Sequence, residues 1–216
     1  MANKETITKK IVTGVGELTG FISVFKPSTK YDKDGTYQAN IILPKEEGER
    51  IAAIIKEVRT EQFKTYGKGT KVTDLTQCSP LTIVDEETGE ESPDSEGRYI
   101  FKTKAKAFVK DGKPTSFIQV MDSKLRPMTN ASVGAGTKAK LGAVLSGYCV
   151  AGKTGVSVKL KMVQILDLVK YKGGENPEDF GFTAEDGFEG TEENFAEINE
   201  VPVEAEDEAI EGEEDF

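Results

Sequence analysis

The sequence has no histidine and only two cysteines, and these absences exclude several kinds of active site. Histidine is the commonest metal ligand and a frequent general base, so its absence argues against most metal-dependent and acid–base enzymes. Cys78 and Cys149 lie far apart in unrelated contexts, which fits neither a disulfide framework nor a zinc site. We therefore expect a protein that is not an enzyme, with no catalytic residue, metal or cofactor, in a reducing cytoplasm.

Long apolar runs are also missing from the chain. No segment approaches the roughly 18 apolar residues that a membrane-spanning helix needs. The first ten residues are polar and include Lys4, Lys9 and Lys10, so they lack the apolar core of a signal peptide. The sequence therefore predicts no association with a membrane.

Basic residues are absent from the end of the chain. Residues 173–216 contain 18 acidic residues and no basic one, whereas residues 1–172 contain all 28 Lys and Arg residues and 20 acidic ones. Five of the 11 phenylalanines also lie in this acidic segment, and Phe216 directly follows Asp215. The composition predicts a folded basic domain at residues 1–172, followed by a disordered acidic interaction tail at residues 173–216.

The hydrophobic pattern of the basic domain is mainly that of strands. Alternation and β-branched residues predict strands at residues 11–25, 36–43, 81–84, 98–110, 115–122, 137–149 and 156–171, the last two forming a hairpin. Residues 85–96 read as an acidic loop. Ile51, Ile54, Ile55 and Val58 follow helical spacing, so residues 45–66 are predicted to be a helix. About seven strands with one main helix predict a mainly β, OB-fold-like antiparallel barrel.

Three of the predicted strands alternate lysine with apolar residues. Because successive side chains of a strand point to opposite faces, each of these strands has a lysine face and an apolar face. In the last strand Val156, Val158, Leu160 and Met162 are expected to face the core. The lysine faces carry Lys102, Lys104 and Lys106, then Lys138 and Lys140 with Tyr148, and then Lys159 and Lys161.

If these strands share a sheet, their lysines form one basic surface. Lysines neutralise phosphates without reading sequence, and an aromatic ring such as that of Tyr148 stacks on any base. The same alternation also keeps one face of an antiparallel sheet solvated, and Tyr148 could equally pack at the rim of the core. Tyr31, Tyr37, Tyr99 and Phe117 are weaker stacking candidates, for which a structural role is favoured.

One nucleotide-binding motif can be rejected. Residues 147–154 match the P-loop pattern, GYCVAGKT, but a P-loop needs a helix after the lysine. The residues after Gly155 alternate as a strand instead, so residues 151–155 are predicted to form a hairpin turn.

Residues 134–148 combine a glycine-rich turn, a Lys138-x-Lys140 strand and a terminal tyrosine, and another lysine-containing strand follows at residues 155–161. With these segments the chain resembles the replication single-stranded DNA-binding proteins of short-tailed bacteriophages. The similarity also includes residues 120–124 and 172–175, Lys10-Ile11, Lys26-Pro27, and the acidic ending Asp215-Phe216.

This resemblance implies an OB-fold that binds single-stranded DNA without sequence preference and often forms a homodimer. It implies DNA contacts for Lys10, Lys138, Lys140 and Tyr148, and a tail that contacts the phage DNA polymerase and helicase. Roles in replication, recombination or repair follow from it. Two alternatives stay open, namely an RNA-binding OB module and a DNA-mimic or protein-interaction role dominated by the tail.

Overall fold

The structure is a computed structural model that describes residues 6–84, 89–110 and 113–171. These residues form one helix and thirteen strands. Helix α1 spans Lys45–Tyr66, as predicted, and buries Ile51, Ile55 and Val58. The strands are β1 Thr8–Val12, β2 Gly16–Ser28, β3 Thr36–Leu43, β4 Lys71–Val72, β5 Cys78–Pro80, β6 Thr82–Val84, β7 Glu91–Pro93, β8 Tyr99–Lys106, β9 Val109–Lys110, β10 Lys113–Pro114, β11 Gln119–Met121, β12 Lys138–Val150 and β13 Lys153–Asp167.

Five strands close into a ring. Strand β2 pairs with β3, β3 with β8, β8 with β13, β13 with β12, and β12 again with β2. The predicted mainly β, OB-fold-like architecture with one main helix is confirmed. The prediction of an antiparallel sheet holds only in part, because β13 runs parallel to β4, β8 and β11.

Of the five strand pairings in the ring, the one between β8 and β13 is the shortest. These strands meet at one residue pair, Lys104 with Lys159. Beside that pair Gln77 spans the two strands: the Lys102 N–H donates to the Gln77 carbonyl at 2.7 Å, and Gln77 Nε2 donates to the Val156 carbonyl at 3.1 Å. This seam therefore has fewer backbone hydrogen bonds than the β3–β8 pairing, which is regular over eight residues.

The core fills the inside of the ring and its contact with α1. Inward-facing side chains of β3, β8 and β12 such as Ile41, Phe101 and Leu141 are fully buried, and Ile51 and Ile55 of α1 pack on the same cluster. Burial of each such side chain contributes about 1.5–3 kcal/mol. The outward-facing positions of the same strands are therefore left to polar residues.

Several predicted strands are shorter or divided. The predicted strand at residues 11–25 is two strands, β1 and β2, and β1 includes part of the predicted polar arm. The predicted strand at residues 98–110 breaks after β8, because Phe108 has φ 50°, a left-handed conformation that a strand does not accommodate. The predicted strand at residues 115–122 is reduced to β11. Strand β7 lies within the segment predicted to be an acidic loop, residues 85–96, and pairs with β6, so the loop prediction is wrong for Glu91–Pro93.

A bulge changes the face of one predicted core residue. Ala143 of β12 pairs with Leu160, whereas its neighbour Gly142 pairs with Met162, so Lys161 is an extra residue in β13. The bulge reverses the alternation, as an inserted residue must. Met162 is consequently 46% exposed, and the prediction that it faces the core is wrong.

Candidate nucleic-acid interface

Strand β8 has the two faces that its sequence predicts. Phe101, Thr103 and Ala105 are buried, whereas Lys102 and Lys104 are exposed on the outer face. Lys106 is exposed on the same side. Across the β3–β8 pairing Lys102 lies beside Asn40, and Lys104 beside Gln38, so two amide side chains accompany the lysines. This outer face is therefore polar and basic.

Lysines from three strands lie in one line across the outer face. Lys10 of β1 pairs with Val144 of β12, Val144 pairs with Lys159 of β13, and Lys159 pairs with Lys104 of β8. Partners in neighbouring strands point to the same face, and their backbones are about 4.8 Å apart. We call Lys10, Lys102, Lys104 and Lys159 the basic face.

The basic face is not neutralised by the part of the chain that the structure describes. None of its four lysines forms an ion pair with a described residue. Like charges on adjacent strands destabilise a sheet, and the pair of Lys104 with Lys159 is such a case. An anionic ligand would remove this repulsion.

A recess of about 500 Å³ lies beside the basic face. Lys102, Lys104, Gln38, Asn40 and Tyr148 line this central recess, together with Gln77 and Ser157. The described residues that line it include no acidic side chain. Its walls thus provide two ammonium groups, one aromatic ring, and amides that can donate and accept hydrogen bonds.

The ring of Tyr148 packs against a glycine on the adjacent strand. Tyr148 pairs with Gly155, and a Cβ added to Gly155 would lie 2.6 Å from Cζ of the tyrosine ring. The ring therefore lies directly over the Gly155 backbone, at a position where no larger residue fits. The glycine thus leaves room for the ring of Tyr148, which lines the central recess.

Lys106 has acidic partners. Its Nζ lies 2.8 Å from Oδ2 of Asp34 and 3.4 Å from Oδ2 of Asp32. The hydrogen bond to Asp34 raises the pKa of Lys106. A hydrogen bond from the Asp34 N–H lowers the pKa of Asp32. Lys106 is therefore the member of the β8 lysine row whose charge is already balanced.

Three other predicted contacts lie away from the central recess. Lys138 pairs with Glu17 of β2 and with Asp167 of β13, and lies in a separate recess with Arg98. Lys140 is half-buried opposite Gln164. Lys161 is the bulge residue. The DNA-contact roles of Lys138, Lys140 and Lys161 stay predictions.

The other aromatic candidates divide by burial. Tyr37 is 2% exposed and belongs to the core, and Tyr99 packs over Gly48. Tyr31 is 90% exposed and Phe117 is 68% exposed, so neither contributes to the core. Phe21, which is 59% exposed, had no role in the sequence analysis.

The structure bears out the rejection of the P-loop. Residues 147–154 lie in the hairpin of β12 and β13, where Val150 pairs with Lys153 around a turn at Ala151 and Gly152. The turn is shorter than predicted, and a strand rather than a helix follows it. The motif is therefore coincidental. The predicted tail residues Asp215 and Phe216 lie outside the described residues.

Comparisons with known proteins identify a family. The family model described as Enterobacter phage Enc34, ssDNA-binding protein, matches residues 9–197. The structure is similar to that of gp2.5, a single-stranded DNA-binding protein encoded by bacteriophage T7, with a TM-score of 0.54 and 20% identity, covering 86% of this chain and 100% of that one.

A second solved structure has a similar fold. The single-stranded DNA-binding protein from bacteriophage Enc34 in complex with ssDNA has a TM-score of 0.50 and 13% identity, covering 77% of this chain and 89% of that one. Comparison with curated proteins gave no match.

Proposed function

Because the chain belongs to the family of the Enterobacter phage Enc34 single-stranded DNA-binding protein, we propose that it binds single-stranded DNA along the basic face, without reading base sequence. The observation that carries this proposal is the unneutralised pair of Lys104 and Lys159 beside the central recess that Tyr148 lines. OB-folds commonly bind oligonucleotides on the face of their second and third strands, which here are β3 and β8.

Each group of the site has a distinct task. The lysines neutralise phosphates and release counterions, so they supply affinity that depends on salt. The ring of Tyr148 stacks on a base of any identity. Proteins that recognise base edges commonly use arginine side chains that hydrogen-bond to guanine. No arginine is among the described residues that line the central recess. The site therefore favours the backbone and the flat faces of bases.

The decisive experiment is a comparison of four ligands. The full-length protein is titrated at low salt with single-stranded DNA, duplex DNA, RNA of the same sequence, and a second single strand of different sequence. We expect tight binding to both DNA single strands and weak binding to the duplex. Tighter binding to RNA would favour the alternative of an RNA-binding module, and no binding to any oligonucleotide would contradict the proposal.

The acidic tail is proposed to compete with DNA. Residues 173–216 carry 18 acidic residues and end in Phe216. A flexible segment of this length has an end-to-end distance of roughly 35–40 Å, and tethering gives it an effective concentration on the order of mM. Its carboxylates resemble phosphates in charge, and Phe216 resembles a stacking base. Deletion of residues 173–216 should therefore raise DNA affinity, and an unchanged affinity would contradict this role.

Once DNA displaces the tail, Asp215 and Phe216 become free to recruit the phage DNA polymerase and helicase. The protein would then act as a homodimer in phage DNA replication, recombination or repair in the host cytoplasm. Sedimentation of the full-length and tail-deleted proteins tests the dimer. Capture of purified polymerase and helicase by full-length protein, but not by a Phe216→Ala variant, tests the recruitment.

A further inference from the structure

A second recess extends the central one. It has a volume of about 630 Å³ and shares Gln38 and Lys104 with the central recess. Its other wall contains Phe21 of β2, and Lys30 and Tyr31 of the loop between β2 and β3. This outer recess is therefore continuous with the basic face and contains two aromatic rings and two lysines.

Both aromatic rings are exposed without a partner in the core. Tyr31 is 90% exposed and Phe21 is 59% exposed. Single exposed apolar residues are common on protein surfaces and need no explanation. Two exposed rings in one recess, next to Lys30 and Lys104, form a different pattern, because a single-stranded nucleic acid engages both aromatic rings and positive charges. Asp32 also lines the recess, but its carboxylate is ion-paired with Lys106.

The loop that carries Tyr31 is fixed in place. Asp32 and Asp34 flank its turn and bind Lys106 of β8. The Gly35 N–H donates to the Asp32 carbonyl at 2.7 Å, and the Val109 N–H donates to the Asp34 carbonyl at 2.8 Å. These contacts hold the loop against β8 and β9. A loop that is already held in place loses less conformational entropy when its tyrosine stacks on a ligand.

The ring of Tyr31 is itself prepared for a base. Lys30 Nζ lies 5.4 Å from the ring centroid, within range of a cation–π contact. Since the residue is 90% exposed, the ammonium group leaves most of the ring accessible. Lys30 thus lies where a phosphate next to the stacked base would be neutralised.

We propose that the outer recess is a second base-binding position, in which Tyr31 stacks on a nucleobase and Lys30 and Lys104 bind the flanking phosphates. The inference rests on the proposed binding of single-stranded DNA and extends it. In this arrangement Lys106 is a positioning residue, because it holds the Tyr31 loop through Asp32 and Asp34.

The test uses the absence of tryptophan from the sequence. A Tyr31→Trp substitution introduces a single indole, whose fluorescence a stacked base quenches. The full-length variant is titrated with a labelled single-stranded DNA of about 16 nucleotides, the upper site size of an OB-fold, while anisotropy reports binding. We expect quenching that saturates together with the anisotropy. Binding without quenching would overturn the second position but leave the proposed function intact, and no binding at all would overturn both.

Affinity provides an independent measurement. We expect Tyr31→Ala to weaken binding of the same oligonucleotide by about 5- to 150-fold, with an unchanged salt dependence, because only a stacked base is lost. Tyr31→Phe should retain wild-type affinity. Phe117→Ala is the matched control, since Phe117 is also exposed but does not line either recess. An affinity of Tyr31→Ala equal to that of Phe117→Ala would overturn the proposal.

Discussion

Replacement of Lys104 and Lys159 by alanine should reduce the salt dependence of DNA binding without weakening the fold. These two residues form the like-charged pair at the seam of β8 and β13, and neither has an acidic partner among the residues that the structure describes. Their removal takes two positive charges from the proposed phosphate path. It also relieves a cross-strand repulsion of about 0.2–1 kcal/mol, so the variant should be at least as stable as the wild type.

The magnitude follows from the number of lysines on the path. Lys10, Lys30, Lys102, Lys104 and Lys159 give five phosphate contacts, and each contributes about 0.7 to the slope of log K against log salt on single strands. The wild-type slope is then about −3.5 and that of the double variant about −2.1. Between about 50 and 200 mM salt, wild-type affinity should fall about 130-fold and that of the double variant about 20-fold.

The assay is a fluorescence anisotropy titration with one labelled oligonucleotide at four or more salt concentrations. Lys138→Ala is the matched control, because Lys138 pairs with Glu17. This control should change the slope by much less than the value of about 0.7 expected for one phosphate contact. A slope for Lys138→Ala that is shallower than the wild-type slope by about 0.7 or more would refute the assignment of the phosphate path to the seam, and would favour the Lys138 contact that the family resemblance implies.

Three further predictions concern single side chains. Tyr148→Ala should weaken binding by about 1–3 kcal/mol with an unchanged salt slope, and a slope change as large as that of a lysine variant would contradict its stacking role. Hydrogen bonds from Arg98 lower the pKa of Asp94 to about 2, so this pair stabilises the fold above about pH 4 and loses its effect as the pH falls toward 2. In thermal melts, Asp94→Asn should therefore be less stable at pH 7 and lose less stability on acidification than the wild type; parallel pH profiles would refute this. Burial raises the pKa of Cys78 to about 12 and Cys149 is also buried, so a thiol reagent should label neither until denaturant is added, and labelling of the native protein would disprove their burial.

The sequence predicted most reliably what depends on near neighbours. The helix was predicted to its last residue, because Pro44 and Gly67 lie at its two ends and the apolar spacing between them is regular. Alternation in β8 likewise placed Lys102 and Lys104 on the outer face before any pairing was known. Gln38 and Asn40 could have been found in the same way, since they alternate with buried residues in β3.

What the sequence missed depends on pairings between distant segments. The bulge at Lys161 arises from the register of β12 against β13, and no local pattern reports that Met162 is thereby turned outward. The sequence pattern places Lys138 in the same lysine row as Lys140, and only the strand pairing shows that Glu17 lies beside it. The loop that carries Tyr31 is anchored by the ion pair of Asp32 with Lys106, a residue more than 70 positions along the chain.

The seam between β8 and β13 links ligand occupancy to the integrity of the fold. The two strands are joined there by the pair of Lys104 with Lys159 and by the Gln77 bridge. A strand of phosphates that contacts both ammonium groups adds a cross-link where the protein's own hydrogen bonds are fewest. DNA that binds only the closed ring stabilises the closed ring by mass action. The DNA-bound protein therefore opens at this seam less often than the free protein does. Amide hydrogens near Lys104 and Val156 would then exchange with solvent more slowly in protein bound along DNA than in free protein.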